Sequence, residues 1–338
     1  MKTKARIRHD QYEVDWYEPA YSNRDARVAA LVLNRNLPDE TDALCRAIIE
    51  TSGPCLDLYV VESGSDPSQL SRYATFHFVD AYARTKGLRI ARGLNNGCRL
   101  AEQVKGAGYD VFWFSTNDVV LTGDVDYAQT LLGIFDSYPE VGIIELCHEP
   151  DRYYELCYDS GSDAVTQHRL QGPDDYTASI AKNGFSAIPF PIVRSIAFRS
   201  TLLRELAPLL DESNWRNWGN DEDLGYRAWE GGWWVVTCPY CSISEEMFLS
   251  AIKSDATESE RLNTFKENAE TEMHEFVARK YGMSISRLRK RICSMMLDYL
   301  DAFRGRGVDI AHTLPACSAY LVNEVRRRKH AEWERPVR

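Results

Sequence analysis

Val28-Ala29-Ala30-Leu31-Val32-Leu33 runs without a polar break into Asn34-Arg35-Asn36 and then Leu37-Pro38-Asp39, after which Leu44, Ala47 and Ile48 recur at helical spacing. A continuous apolar run this short reads as a strand buried on both faces. Pro38, with its fixed φ and missing N–H, suits the first turn of the helix that follows. The strand signal returns at residues 57–61 and ends in Glu62-Ser63-Gly64-Ser65-Asp66-Pro67. A third strand is expected at residues 88–91, ending in Gly93-Leu94-Asn95-Asn96-Gly97 and followed by a helix over 98–104. A fourth, the aromatic run 109–114, stops at Ser115-Thr116-Asn117-Asp118. Strands alternating with helices at this spacing imply βαβ units and a largely parallel sheet, with the ligand site at the carboxyl ends of the strands.

Further along, residues 141–146 read as another strand and residues 147–183 as a long polar loop with turn signals at Gly161 and Gly172-Pro173. Regular structure is expected again as a strand at 192–198, a helix near 200–206, an acidic and aromatic segment at 211–227, and a strand at 233–237 in which Trp233 and Trp234 belong to the core. Beyond Phe248 the chain reads as helices, one of them striped by Ile285, Leu288, Ile292, Met295, Met296, Tyr299 and Phe303. The expected division is an N-terminal extension (1–27), a catalytic α/β domain (28–248) with a nucleotide half (28–125) and an acceptor half (126–248), and a helical C-terminal extension (249–338).

The chain has 338 residues and a net charge of -10, placed unevenly. Residues 279–338 hold 14 Lys or Arg against 6 Asp or Glu, net +8, which leaves 26 basic against 44 acidic residues, net -18, in residues 1–278. An acidic body repels polyanions, which argues against extensive nucleic-acid binding there. No run of eighteen apolar residues occurs, and residues 1–15 carry charge without an apolar stretch, so neither a membrane span nor a signal peptide is expected. Nine scattered cysteines without framework spacing suit a reducing compartment, and the cytoplasm is the expected location. Cys238-Pro239-Tyr240-Cys241 resembles a glutaredoxin active site, but it follows a Trp-rich strand and precedes no helix, which argues against redox use.

The order of motifs resembles the family 2 glycosyltransferases, in particular the rhamnosyltransferase-like branch that builds bacterial surface polysaccharides. The resemblance is carried by five segments in order: 28–38 with its Asn-rich loop and Pro; Val60-Val61-Glu62-Ser63-Gly64-Ser65; Asn95-Asn96-Gly97-Cys98-Arg99; Thr116-Asn117-Asp118; and Asn220-Asp221-Glu222-Asp223-Leu224-Gly225-Tyr226-Arg227 with Gly232-Trp233. It implies a GT-A fold, a Rossmann-like, mostly parallel sheet flanked by helices, and inverting transfer of a hexosyl or deoxyhexosyl group. The donor would be a UDP-, dTDP- or GDP-sugar and the acceptor a hydroxyl of a saccharide or lipid-linked saccharide. Asn34, Asn36, Glu62, Ser65, Asn96, Gly97 and Asn117 would line the nucleotide sugar.

The same family pattern makes Asp118 the carboxylate for Mn2+ or Mg2+, and a hard cation held by oxygen is suited to a departing diphosphate. A strand-end Asp also serves as a turn or helix cap, and that reading stays open. Within the Asp221, Glu222, Asp223 cluster the resemblance singles out Asp221 as the base, with Glu222 and Asp223 as supporting carboxylates. Acidic residues also favour a helix N-terminus for its dipole alone. The family places Glu where Asn220 stands and a His metal ligand where Glu245 stands, so Glu245 is the candidate second ligand, with Glu246 in its place or a surface ion pair as the alternatives. Trp215 and Trp218 flank the cluster and offer faces for an acceptor sugar. Arg287, Arg289, Lys290 and Arg291, with residues 326–329, form a basic tail that either docks peripherally on the inner, anionic membrane face or pairs with the acidic body. A catalytically inactive sugar-nucleotide binder, and a transferase acting on modified DNA bases, are the alternative functions.

Overall fold

The computed structural model describes residues 4–106, 108–148, 154–159, 164–169, 185–214, 217–245, 258–302, 309–312, 320–321, 323–324 and 327–328. Its centre is β3 (Val28–Asn34), buried at every position, which pairs in parallel with β4 (Leu56–Glu62) on one side and β6 (Val111–Thr116) on the other. β4 pairs in parallel with β5 (Ala74–Phe78). The chain thus leaves β3 towards β4 and β5, then crosses to β6 on the opposite flank, so the direction of winding reverses between β3 and β6. In open α/β sheets this reversal leaves a crevice at the carboxyl ends of the strands, where ligands bind. α1 (Pro38–Ser52), with Pro at its start, makes the first return crossing.

One expectation fails in this half. Residues 88–91 are not a strand: α3 (Arg89–Lys105) begins there, and the third parallel strand is β5. Ala91, Leu94, Cys98 and Ala101 are all buried, a spacing that belongs to a helix face on the sheet. β5 was hidden by Thr75 and His77, polar side chains in a strand buried throughout. Asn95, Asn96 and Gly97 therefore lie inside α3 and not in a strand-end loop.

Beyond β6 the sheet continues through β12 (Ser195–Arg199), antiparallel to both β6 and β8 (Val141–His148), and then β13 (Trp234–Glu245), parallel to β8. Within this central run β5, β4, β3, β6, β8 and β13 point one way and β12 runs against them, giving an α/β fold with mostly parallel central strands. β7 (Val119–Leu121) pairs with the far end of β13, Val119 opposite Glu245. The edges carry additions the sequence did not disclose. Residues assigned to an N-terminal extension form the hairpin β1 (Ala5–His9) and β2 (Tyr12–Trp16), which joins the sheet along β5. The expected polar loop holds a second hairpin, β9 (Tyr154–Asp159) and β10 (Ala164–Arg169). β11 (Ser186–Ala187) and β14 (Asp309–His312), the latter in the expected helical tail, link that hairpin to β13.

Helices α2 (Ala81–Lys86), α4 (Tyr127–Ser137) and α5 (Ser200–Glu205) complete the connections, and α6 (Asn220–Glu230) precedes β13. The C-terminal helices α7 (Glu258–Tyr281) and α8 (Ile285–Ala302) follow. Of the stripe read for α8, Ile285, Leu288, Ile292 and Met296 are buried and Met295 and Tyr299 partly so; Phe303 lies outside the described residues. Trp234 is fully buried, whereas Trp233 is half-buried and donates its indole N–H to Glu205 at 2.7 Å.

The loop after β4 is held by Gly64, at φ 77, where an added Cβ would stand 1.9 Å from the carbonyl oxygen of Ala83. Left-handed strain and backbone collision act together there, so Gly64→Ala is expected to destabilise the fold by about 2 to 3 kcal/mol. The check is the urea midpoint: an unchanged midpoint would mean that the loop moves away at no cost.

Candidate functional site

The carboxyl ends of β4, β3 and β6 are joined by a chain of buried side chains. Asn117 Nδ2 donates to Asn34 Oδ1 at 2.9 Å, and Asn34 Nδ2 donates to Glu62 Oε2 at 2.8 Å. Ser65 Oγ donates to the same Glu62 oxygen at 2.6 Å, and the Ser71 N–H to Glu62 Oε1 at 2.9 Å. Asn34 Oδ1 also accepts the Leu37 N–H, which ties the β3 end to the start of α1. Glu62 is fully buried, and that burial pushes its carboxyl up to about 7 against the lowering effect of Ser65, Asn34 and Ser71. The Asn36 N–H donates to Ser65 Oγ at 3.3 Å, while Asn36 Oδ1 accepts the Asp66 N–H at 2.8 Å. These residues form a bonded network across the carboxyl ends of β4, β3 and β6, where the winding of the sheet reverses. Asn96 and Gly97 lie apart from it: Asn96 is bonded to Arg92 and Arg99 within α3, and Gly97 lets the helix close on Val61 and Leu31.

At the end of β6, the Thr116 N–H donates to the Arg194 carbonyl at 2.8 Å, and Val193, one residue earlier, donates its N–H to Asp221 Oδ1 at 3.2 Å. Asp118, two residues beyond Thr116, and Asp221, bonded to the segment just before β12, thus both belong to the edge of the sheet where β6 ends and β12 begins. Asp118 is nearly buried and its Oδ1 has no hydrogen-bond partner, nor does the buried Thr116 Oγ1 beside it. A buried carboxylate oxygen left free needs a cation or water. Among the described residues no three His, Cys, Asp or Glu side chains gather as a metal cage. Mg2+-type sites, however, use one or two carboxylates and complete their shell with substrate phosphates and water, so Asp118 fits such an ion. The β7/β13 register brings the backbone of Glu245 opposite Val119, next to Asp118; the Glu245 side chain lies outside the described residues.

Asp221 is half-buried, and its carboxyl is pushed up to about 7, first by desolvation and then by the neighbouring charges of Glu222 and Glu145. The Val193 N–H and Arg194 pull the other way. A carboxyl raised to about 7 changes charge near neutrality, the range best suited to general acid or base work. Glu145 is a residue the sequence reading missed. It stands near the end of β8, buried, accepts the Ile192 N–H at 2.7 Å, and is visible in hindsight as a carboxylate inside the apolar run 141–146.

The other two carboxylates of the cluster point elsewhere. Glu222 accepts both Nε and Nη2 of Arg289, at 2.9 and 2.5 Å. Asp223, fully buried, is met by Arg227 at 2.8 Å, Lys280 at 2.7 Å and the Tyr281 hydroxyl at 2.5 Å. Asn220 is also fully buried and closes the preceding turn through Asp211 and Asn217. Trp218 lies half-buried in that turn, and Trp215 falls outside the described residues. Part of the basic tail meets the acidic body through Arg289 and Arg291, the latter 5.2 Å from the Tyr226 ring centre; Arg287 and Lys290 are exposed. Among the described residues no helix is long and apolar enough to cross a membrane. Cys238 and Cys241 are buried free thiols where β13 shifts register against β8 between Cys238 and Ser242.

Comparison with known proteins found no matching family model and no matching curated protein. Among solved structures the chain is similar to the mannosyltransferase PcManGT from Pyrobaculum calidifontis in complex with GDP-Man and Mn2+. That match has 14% identity and a TM-score of 0.43, covering 94% of this chain and 86% of that one. It is also similar to GalNAc-T7 with UDP, GalNAc and Mn2+, at 12% identity and a TM-score of 0.46, covering 65% of this chain and 44% of that one. A third likeness, to A197 from STIV, has 10% identity and a TM-score of 0.34 over 63% of this chain and 82% of that one. At these TM-scores the likenesses carry no argument; the α/β assignment rests on the strand order and register of this chain.

Proposed function

We propose that this chain is an inverting glycosyltransferase that moves a sugar from a nucleoside diphosphate donor to a hydroxyl of a saccharide or lipid-linked saccharide. The reading is supported above all by one juxtaposition. At the reversal point of a parallel sheet, a carboxylate with an unpartnered oxygen, Asp118, shares an edge with a carboxyl poised near neutrality, Asp221. The motif order Asn34 to Asp223, similar to that of family 2 glycosyltransferases, points the same way.

In this proposal the diphosphate lies over the network formed by Asn34, Glu62, Ser65 and Asn117, next to Asp118. Asp118, with Glu245 as the candidate second ligand, would hold a divalent cation, which would neutralise the charge that builds on the departing diphosphate. Asp221 takes the proton of the acceptor hydroxyl, whose oxygen bonds to the anomeric carbon on the face opposite the leaving group. The bond from that carbon to the diphosphate oxygen breaks, and the diphosphate leaves with the electron pair. Trp218 is the described aromatic residue nearest in sequence to Asp221 and is the candidate acceptor face.

The test is a panel of UDP-, dTDP- and GDP-sugars with Mn2+, read by thermal shift and by nucleotide release. One donor class should stabilise the protein by about 2.7 kcal/mol at a hundredfold excess over its Kd, and Asp118→Ala or EDTA should remove that gain. No shift and no Mn2+-dependent release with any donor would overturn the proposal. Because the metal motif Thr116-Asn117-Asp118 lacks the second Asp that relatives can carry, and Glu245 stands where the family has His, a second reading is kept: a sugar-nucleotide binder without transfer. It predicts the shift without the release.

A further inference from the structure

The structure assigns to Arg289 of α8 the role of a positioning residue for Asp221, exerted through Glu222 and through the segment that precedes β12. This inference rests on the transferase reading above, in which Asp221 is the base. Successive residues of a helix point about 100° apart, so the three carboxylates at the start of α6 face three ways. Asp221 faces the segment before β12, where Val193 donates its N–H to it. Glu222 faces Arg289, and Asp223 faces Arg227, Lys280 and Tyr281.

Arg289 meets both α6 and the segment that precedes β12. Its guanidinium holds Glu222 with two donors and lies 5.9 Å from the Phe190 ring centre, on the same segment that carries Val193. That segment packs tightly on α6, since a Cβ added at Gly225 would stand 2.3 Å from Cβ of Phe190. The turn before α6 is closed by α7 in the same manner. Gly219, at φ 86, lies where a Cβ would come within 3.0 Å of the Phe276 ring and 3.3 Å of Met273.

The charges that act on Asp221 are Glu222 beside it on α6, Glu145 on β8 and Arg194 before β12. Glu222 is buried, and a buried carboxylate is tolerated when a cation is bonded to it. Arg289, bonded to Glu222, offsets part of its charge and holds that carboxylate turned away from Asp221. Without Arg289, two adjacent carboxylates compete for one negative charge, and Asp221 holds its proton to higher pH.

Arg289→Ala is therefore expected to move the acid limb of the kcat/KM profile up by about one pH unit, so that the rate at pH 6 falls about tenfold while the rate at pH 9 changes little. Arg289→Lys should return the limb. An independent reading needs no turnover: with carboxyl-labelled aspartate, the NMR resonance lost in Asp221→Asn should titrate at higher pH in Arg289→Ala. Glu222→Gln, which removes the neighbouring charge, should move the same midpoint down, and it serves if Arg289→Ala does not fold. A rate lowered equally at every pH, with the Asp221 midpoint unmoved, overturns the inference. If the midpoint moves as stated but no donor is turned over by the unaltered protein, the coupling stands and the transferase reading fails.

Discussion

Asp221→Asn is expected to lower glycosyl transfer by roughly 10² to 10⁴-fold, the range lost with a general base, while making the folded protein more stable at pH 8. The two effects share one cause. Burial and the charges of Glu222 and Glu145 raise the Asp221 carboxyl from an ordinary 3.8 to about 7. A folded-state value above the unfolded one means that the native protein binds the proton more tightly. That stabilisation is complete below about pH 4 and is lost as pH rises towards 7. Three units at 1.36 kcal/mol each set an upper bound of about 4 kcal/mol, which solvent at a half-buried group reduces to about 2. Asparagine keeps the shape and an acceptor for the Val193 N–H without the charge. Its gain should appear in denaturation midpoints at pH 8 and vanish at pH 4. Loss of transfer together with loss of stability at both pH values would make Asp221 a structural residue.

The joining of stability and function at one side chain bears on what the sequence disclosed. The parallel core was legible at β3, β4 and β6, because strands buried on both faces read as mainly apolar runs that end in polar turns. β5 was not, because a buried strand whose Thr75 hydroxyl donates to the Tyr73 carbonyl and whose His77 bonds to the Ser65 carbonyl has no apolar pattern to read. The helical period of Ala91, Leu94, Cys98 and Ala101 was broken to the eye by Asn95-Asn96-Gly97, which looks like a turn. Tertiary contacts decide it: Asn95 donates from α3 to the Leu210 carbonyl and to Glu212, and Gly97 admits the sheet.

The candidate site divides along the same line. Asp118 and Asn117 were legible as polar residues ending an apolar strand. The partners that give the site its electrostatics come from positions that local pattern does not mark: Val193 acts through its backbone, Glu145 sits within a strand, and Arg289 arrives from a helix 67 residues beyond Glu222. Three adjacent acids read as one cluster in the sequence. In the fold they serve different neighbours, because a helix turns each one to a different face.

Asp223 shows how far that separation goes, and Asp223→Ala is expected to be the most destabilising single change at the site. Its carboxylate is fully buried and joins Arg227 of its own helix to Lys280 and Tyr281 at the end of α7, while Lys280 also reaches Asp211 at 2.9 Å. Removing one partner from a buried ionic cluster costs about 3 to 5 kcal/mol, because the remaining cations stay desolvated without compensation. Asp223→Asn should cost less, since its amide oxygen still accepts from Tyr281. Urea unfolding followed by near-ultraviolet and far-ultraviolet signals locates the loss. If α7 and α8 are part of the catalytic unit, both signals shift together to lower urea. If they are an appendage, a separate early loss of helix appears while the sheet keeps its midpoint. The first outcome would make the C-terminal helices part of what holds Asp221 in place, since the same turn of α6 carries both residues.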